Sequence, residues 1–228
     1  MPRIPLAEIL DRLEALYGPP RPPKATDPWH LILWENVAYL ADDAQREKAF
    51  LALRKRLGTR PEQILSAPAA VLREIGAHGI VPEQSVEKLR RCATIALEEF
   101  DGDLGPVLRL PVAAAKKALR KFPGIGDPGA EKLLLFAGVH PVLALESNGL
   151  RVLLRLGYGE EKKSYATTYR LVQAAVAAEL RVDCAWLVRA HLLLRRHGQE
   201  LCRRSGPRCG RCPLAADCPY AAASGAGP

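Results

Sequence analysis

Four cysteines, Cys202, Cys209, Cys212 and Cys218, close the chain in the pattern C-x6-C-x2-C-x5-C, and this spacing constrains the fold more than any other feature. Four thiolates within seventeen residues can wrap one soft metal centre, since thiolates select iron–sulfur clusters or zinc over hard cations. The residues between them, Arg203-Arg204-Ser205-Gly206-Pro207-Arg208 and Gly210-Arg211, are basic and turn-forming. They suit a loop folded round a metal better than a helix or strand. Two disulfides would suit an exported chain, but nothing at the N-terminus reads as a secretory leader. Structural zinc usually takes two short C-x2-4-C elbows, and only one is present here. Counting the spacing together with what lies upstream, a four-iron cluster is favoured over zinc.

At 228 residues, 48% of them hydrophobic, the chain can bury a substantial core as one large or two small domains. No apolar run approaches membrane-spanning length. Cys92 and Cys184 fall inside apolar helical patterns and read as buried thiols. A net charge of +8 favours a polyanionic partner, most often nucleic acid, with a solvated basic surface as the plainer alternative.

Helical periodicity dominates and no stretch alternates cleanly, so the chain is expected to be all-α. Leu6, Ile9, Leu10, Leu13, Leu16 and Tyr17 make one stripe, ended by Gly18-Pro19-Pro20. A proline-rich crossing segment runs through Pro28. The pattern then predicts an apolar helix over 29–40, a charged one over 42–57, and shorter ones near 61–66 and 68–76. A long helix from 82 to 100 follows. Helices over 111–121 and 128–138 flank a glycine turn, and three more, near 147–156, 164–180 and 183–198, lead into the cysteine loop. Residues 221–228 are small and read as a disordered tail.

The turn Phe122-Pro123-Gly124-Ile125-Gly126-Asp127 permits a tight backbone path and exposes main-chain amides. With the start of the next helix, amides of Gly124, Ile125 and Gly126 can hold a phosphate without reading sequence. Asp127 is expected as N-cap and Pro128 as first helical residue.

The hairpin near 113–138, the segment His140 to Arg151 containing Leu145-Glu146-Ser147-Asn148-Gly149, and the cysteine loop occur in one order. In that order the chain resembles the helix-hairpin-helix DNA glycosylase superfamily, in its iron–sulfur branch of endonuclease III and mismatch adenine glycosylases. The resemblance implies a two-domain fold. Residues 23–139 would form a six-helix barrel, and 1–22 with 140–220 a helical domain around a [4Fe-4S] cluster, with lesion-bearing or mismatched double-stranded DNA and the active site between them. It also implies base-excision repair by a cytoplasmic, nucleoid-associated monomer away from membranes. Arg203, Arg204 and Arg208 would face DNA.

Two residues depart from the family's pattern. Bifunctional members carry a lysine nucleophile where this chain has Pro128, so a covalent lyase step is not expected. Lys132, one turn on, reads as a surface or phosphate-contacting residue. Glu146 stands where the family places a catalytic aspartate; it keeps the charge and adds a methylene, and it also suits a helix start. Glu35, the lone acid of an apolar helix, aligns with the glutamate that protonates a departing purine in adenine glycosylases, and burial would keep it protonated. Tyr39, at i+4 on that helix, falls where the family uses a wedge in the base stack, with core packing as the plain alternative. The leading expectation is a monofunctional glycosylase acting on a damaged or mispaired base, a purine by Glu35. A catalytically weak relative that binds distorted DNA comes second, and a bifunctional lyase for oxidised pyrimidines third.

Overall fold

The structure, a computed structural model, describes residues 3–22 and 27–225. It consists of twelve α-helices with short 3₁₀ turns, and no strand occurs among the described residues. In chain order the helices are α1 (Leu6–Tyr17), α2 (Pro28–Asn36), α3 (Asp43–Arg56), α4 (Pro61–Ser66), α5 (Ala69–Gly76) and α6 (Pro82–Phe100). Then come α7 (Val112–Leu119), α8 (Asp127–Phe136), α9 (Ser147–Arg155), α10 (Tyr165–Val176), α11 (Cys184–Glu200) and α12 (Pro219–Ala223). No helix among these residues is long and apolar enough to cross a membrane.

The helix starts follow local chemistry. Asp27, Asp42, Ser164 and Asp183 each accept a backbone N–H in the first turn of α2, α3, α10 and α11. Proline opens α2, α4 and α6, where its missing N–H has no helical partner to lose.

Two compact units emerge, one within Lys24–Val139 and one built from both chain ends, within Met1–Pro23 and His140–Pro228. In the middle unit α6 packs against α2, α4 and α5, burying Leu89, Cys92, Ala93, Ile95 and Ala96. The hairpin α7–α8 is pinned by Phe122, whose ring stacks on Phe100 at 5.7 Å between centroids. In the other unit α11 packs against α9 and α1, closing a core of Leu6, Ile9, Leu10, Leu153, Leu187 and Leu194.

Several boundaries differ from the sequence pattern. The apolar helix ends at Asn36 rather than at 40 because tertiary partners take the backbone groups that would continue it. The Tyr39 amide donates to Ser85 Oγ at 3.2 Å, its carbonyl accepts from the Ile80 amide at 2.9 Å, and Leu40 turns to φ 54°. Cys184 opens α11 half-buried, unlike the fully buried Cys92. Residues 221–223 belong to α12, with Ala221 buried, and not to a tail. The rest of that tail, 226–228, and residues 23–26 of the proline-rich segment lie outside the described residues.

Candidate active site and cysteine loop

Glu146 is the N-cap of α9. Its Oε1 accepts the amides of Asn148 and Gly149 at 2.8 and 2.9 Å, and its Oε2 accepts Asn148 Nδ2 at 2.8 Å. The helix-start role is therefore realised, and the three donors fix the carboxylate while leaving about one acceptor site for a further partner. Behind it, Arg151 Nη2 donates to Asn148 Oδ1 and to the Gly198 carbonyl, each at 2.7 Å, and Arg151 Nε donates to the Cys202 carbonyl at 2.8 Å. This close approach needs glycine at 198, where a Cβ would lie 2.5 Å from the Asn148 carbonyl oxygen. Tyr165, half-exposed and stacked on Tyr169 at 6.3 Å, lies close enough for the Glu146 carboxylate to add to the burial that raises its hydroxyl pKa.

Glu35 is not the isolated acid its apolar helix suggests. Packing of α8 on α2 brings Lys132 Nζ within 2.6 Å of Glu35 Oε1, with side-chain exposures of 22% for Lys132 and 24% for Glu35. Lys132 is thus half of a shielded ion pair, not a surface cation, and Glu35 is the other half.

Tyr39 does not share a helical face with Glu35, since it lies beyond the end of α2. Its ring sits beneath Lys88, whose Nζ is 4.2 Å from the centroid. The side chains that protrude here are Leu40 and Ile80, 64% and 71% exposed, on segments joined by the Ile80–Tyr39 backbone bond. Sequence reasoning passed over both. The only signal was a bulky apolar residue beside each turn.

In the hairpin loop Gly124 and Gly126 are exposed while the Ile125 side chain is buried, and the Ile125 amide already donates to the Phe122 carbonyl at 3.2 Å. Gly126, not Asp127, is the N-cap of α8. The Asp127 carboxylate instead pairs with Arg120 at 2.9 Å, and the Arg120 guanidinium holds it below the usual carboxylate range. Lys116 reaches Asp127 at 3.8 Å and the buried Glu131 at 2.5 Å, tying α7 to α8. Gly124 adopts φ 73°, whereas Gly126 has extended backbone and a Cβ there would meet only Pro128 Cδ, at 3.9 Å. Gly124→Ala should therefore destabilise the protein by about 1–2 kcal/mol in denaturant titration, and Gly126→Ala should leave stability unchanged. Any uniform loss of duplex affinity in Gly126→Ala then reports phosphate approach. Loss of stability in that variant would contradict this assignment.

The four loop cysteines line one cavity walled by Leu156, Leu201 and Leu214. None of the six cysteines forms a disulfide. Burial pushes the Cys212 thiol up to about 11 and raises that of Cys202. Burial of this kind disfavours bare thiolates. Among the described residues, no three His, Cys, Asp or Glu side chains gather closely enough to hold a single metal ion. Arg155 braces the loop: Nη1 donates to Cys202 Sγ at 3.4 Å and to the Arg203 carbonyl at 2.8 Å, and its guanidinium carbon lies 4.1 Å from the Tyr220 ring centroid. Arg203, Arg204 and Arg208 are exposed around it. His197, missed from sequence, is 1% exposed in α11, with Nδ1 3.0 Å from the Tyr17 hydroxyl and Nε2 3.4 Å from Cys212 Sγ.

No protein-family model matches the chain. Over 223 residues it is 27% identical to endonuclease III of Escherichia coli strain K12, covering 93% of this chain and 94% of that protein. Among solved structures, a thermostable thymine-DNA glycosylase superposes with a TM-score of 0.73 at 18% identity, covering 96% of this chain and 95% of that one. An endonuclease III trapped as a covalent intermediate with DNA superposes with a TM-score of 0.72 at 18% identity over 96% of each chain. The all-helical architecture is that of these structures.

Proposed function

We propose that this chain, a member of the helix-hairpin-helix DNA glycosylase superfamily, is a monofunctional glycosylase that hydrolyses the N-glycosidic bond of a damaged or mispaired purine in duplex DNA. The observation that carries this reading is Glu146: a carboxylate fixed by three N–H donors at the start of α9, in a chain with Pro128 where a nucleophilic lysine would stand.

A base stacked in a duplex is out of reach, so the nucleotide must be extruded. Leu40 and Ile80 protrude in a way that suits filling the vacated stack, beside Tyr39 rather than through it. The hairpin glycines would hold a phosphate, and the cysteine-loop arginines would add sequence-independent affinity. As the glycosidic bond lengthens, positive charge develops on the sugar, and the fixed anion of Glu146 lowers the energy of that state without reorganising. Water completes the hydrolysis. The N–H···O bond between Lys132 and Glu35 holds an exchangeable proton, and we assign that proton to the departing purine.

The donor set of the loop fits a [4Fe-4S] centre. The four sulfurs line one cavity, and only one short C-x2-C elbow joins them where structural zinc usually takes two. A cluster bound by Cys202, Cys209, Cys212 and Cys218 would supply a rigid, charge-compensated anchor for the loop. The protein's own contribution is to hold that loop with Arg155 and to pass its position to Asn148 through Arg151.

One observation favours a second reading, in which Lys132 attacks the sugar as a lyase nucleophile: its amine is shielded and stands one helical turn beyond Pro128 on α8. Borohydride reduction during turnover separates the two. The monofunctional assignment predicts no adduct from wild type or from Lys132→Met, with slower purine release in Lys132→Met. An adduct lost specifically in Lys132→Met would establish the lyase instead.

A further inference from the structure

We propose that Tyr17 and His197 form a hydrogen-bond relay that sets the reduction potential of the iron–sulfur centre through Cys212. This rests on the cluster reading above. The distances are those of two hydrogen bonds in series, Tyr17 Oη to His197 Nδ1 at 3.0 Å and His197 Nε2 to Cys212 Sγ at 3.4 Å. A ligating thiolate can only accept, so Nε2 must carry the hydrogen. In a neutral imidazole Nδ1 is then bare and accepts the hydroxyl of Tyr17. The centre of the relay is shielded from solvent, with His197 1% exposed.

The donor end is equally fixed. Tyr17 closes α1, which packs on α11, and Arg196 on α11 donates Nη1 to the Tyr17 carbonyl at 3.0 Å while its guanidinium carbon lies 4.6 Å from the Tyr17 ring centroid. The first helix of the chain thereby controls a sulfur almost two hundred residues away. An N–H···S bond withdraws electron density from the thiolate and favours the reduced, more negative centre, so it raises the potential. Arg155 gives a second donor, to Cys202, but it also holds the carbonyls of Arg203 and Arg204, so its removal would disturb the loop itself. The side chains of His197 and Tyr17 reach the sulfur without bonding to the loop backbone, which meets His197 only through its carbonyl, unchanged in a side-chain variant; they are positioning residues.

The test is a redox titration of cluster-loaded protein without DNA, on wild type, Tyr17→Phe and His197→Leu, with absorbance near 400 nm confirming equal loading. His197→Leu should lower the midpoint by at least the equivalent of a tenfold change in the oxidised-to-reduced ratio, about 59 mV for one electron. Tyr17→Phe should shift it in the same direction by less. A purely structural role would reduce loading and leave the potential of loaded protein unchanged, and that result overturns the proposal. If His197→Leu does not load, an unchanged midpoint in Tyr17→Phe overturns it alone. Wild-type protein that is colourless and holds zinc would remove both this relay and the cluster reading, before any variant is made.

Discussion

Glu146→Gln is expected to reduce base release by roughly a hundredfold or more, the scale seen when one preorganised electrostatic contact to a developing charge is removed. The substitution is nearly isosteric. The glutamine carbonyl can still accept the amides of Asn148 and Gly149, so the α9 cap survives. Its amide nitrogen would face the Asn148 side-chain nitrogen now bonded to Oε2, a mismatch costing about 1 kcal/mol in stability. A large kinetic loss with a small thermal shift is therefore the signature of a charge acting on the reacting sugar. Glu146→Asp makes the complementary test. Aspartate retains both charge and capping ability, so it should recover most of the rate that glutamine loses. Equal rates for wild type and Glu146→Gln would confine this residue to capping.

The second large effect concerns the loop. Cys212→Ser should abolish absorbance near 400 nm and destabilise the unit built from both chain ends by several kcal/mol, because metal-binding free energy is also folding free energy. Cys212 Sγ meets His197, and Cys218 Sγ lies 3.4 Å from the Arg155 carbonyl, so both sulfurs are tied into α9 and α11 as well as the loop. Cys92→Ser supplies the control. That thiol is buried in α6 of the other unit, where burial pushes it up to about 12, so the substitution should leave the visible spectrum intact. A Cys212→Ser protein that keeps the full absorbance would remove Cys212 from the ligand set.

What the sequence reveals and what it hides divide along the distance over which the chemistry acts. Helix starts were legible because Asp42, Ser164 and Asp183 cap their own helices within three residues. The four cysteines were legible as one group because their close spacing brings all four to the lining of a single cavity. The end of α2 was not, since Ser85 and Ile80, more than forty residues on, claim the backbone of Tyr39. Glu35 read as an isolated acid for the same reason: its partner Lys132 lies 97 residues away and reaches it only when α8 packs on α2. Asp127 had every local mark of an N-cap, but Arg120 and Lys116 offer its carboxylate stronger, charged partners. His197 looks like an ordinary core histidine until α1 and the cysteine loop close on its two ring nitrogens.

The most direct test of the account is a single-turnover assay of wild-type protein on duplexes each bearing one damaged or mispaired base. Every quenched sample is divided and read with and without alkali. The account predicts that at least one purine-containing duplex yields strand breaks only after alkali, the mark of an intact abasic site left by hydrolysis. Breaks of equal extent without alkali, or a complete absence of abasic sites across the purine lesions, would contradict it.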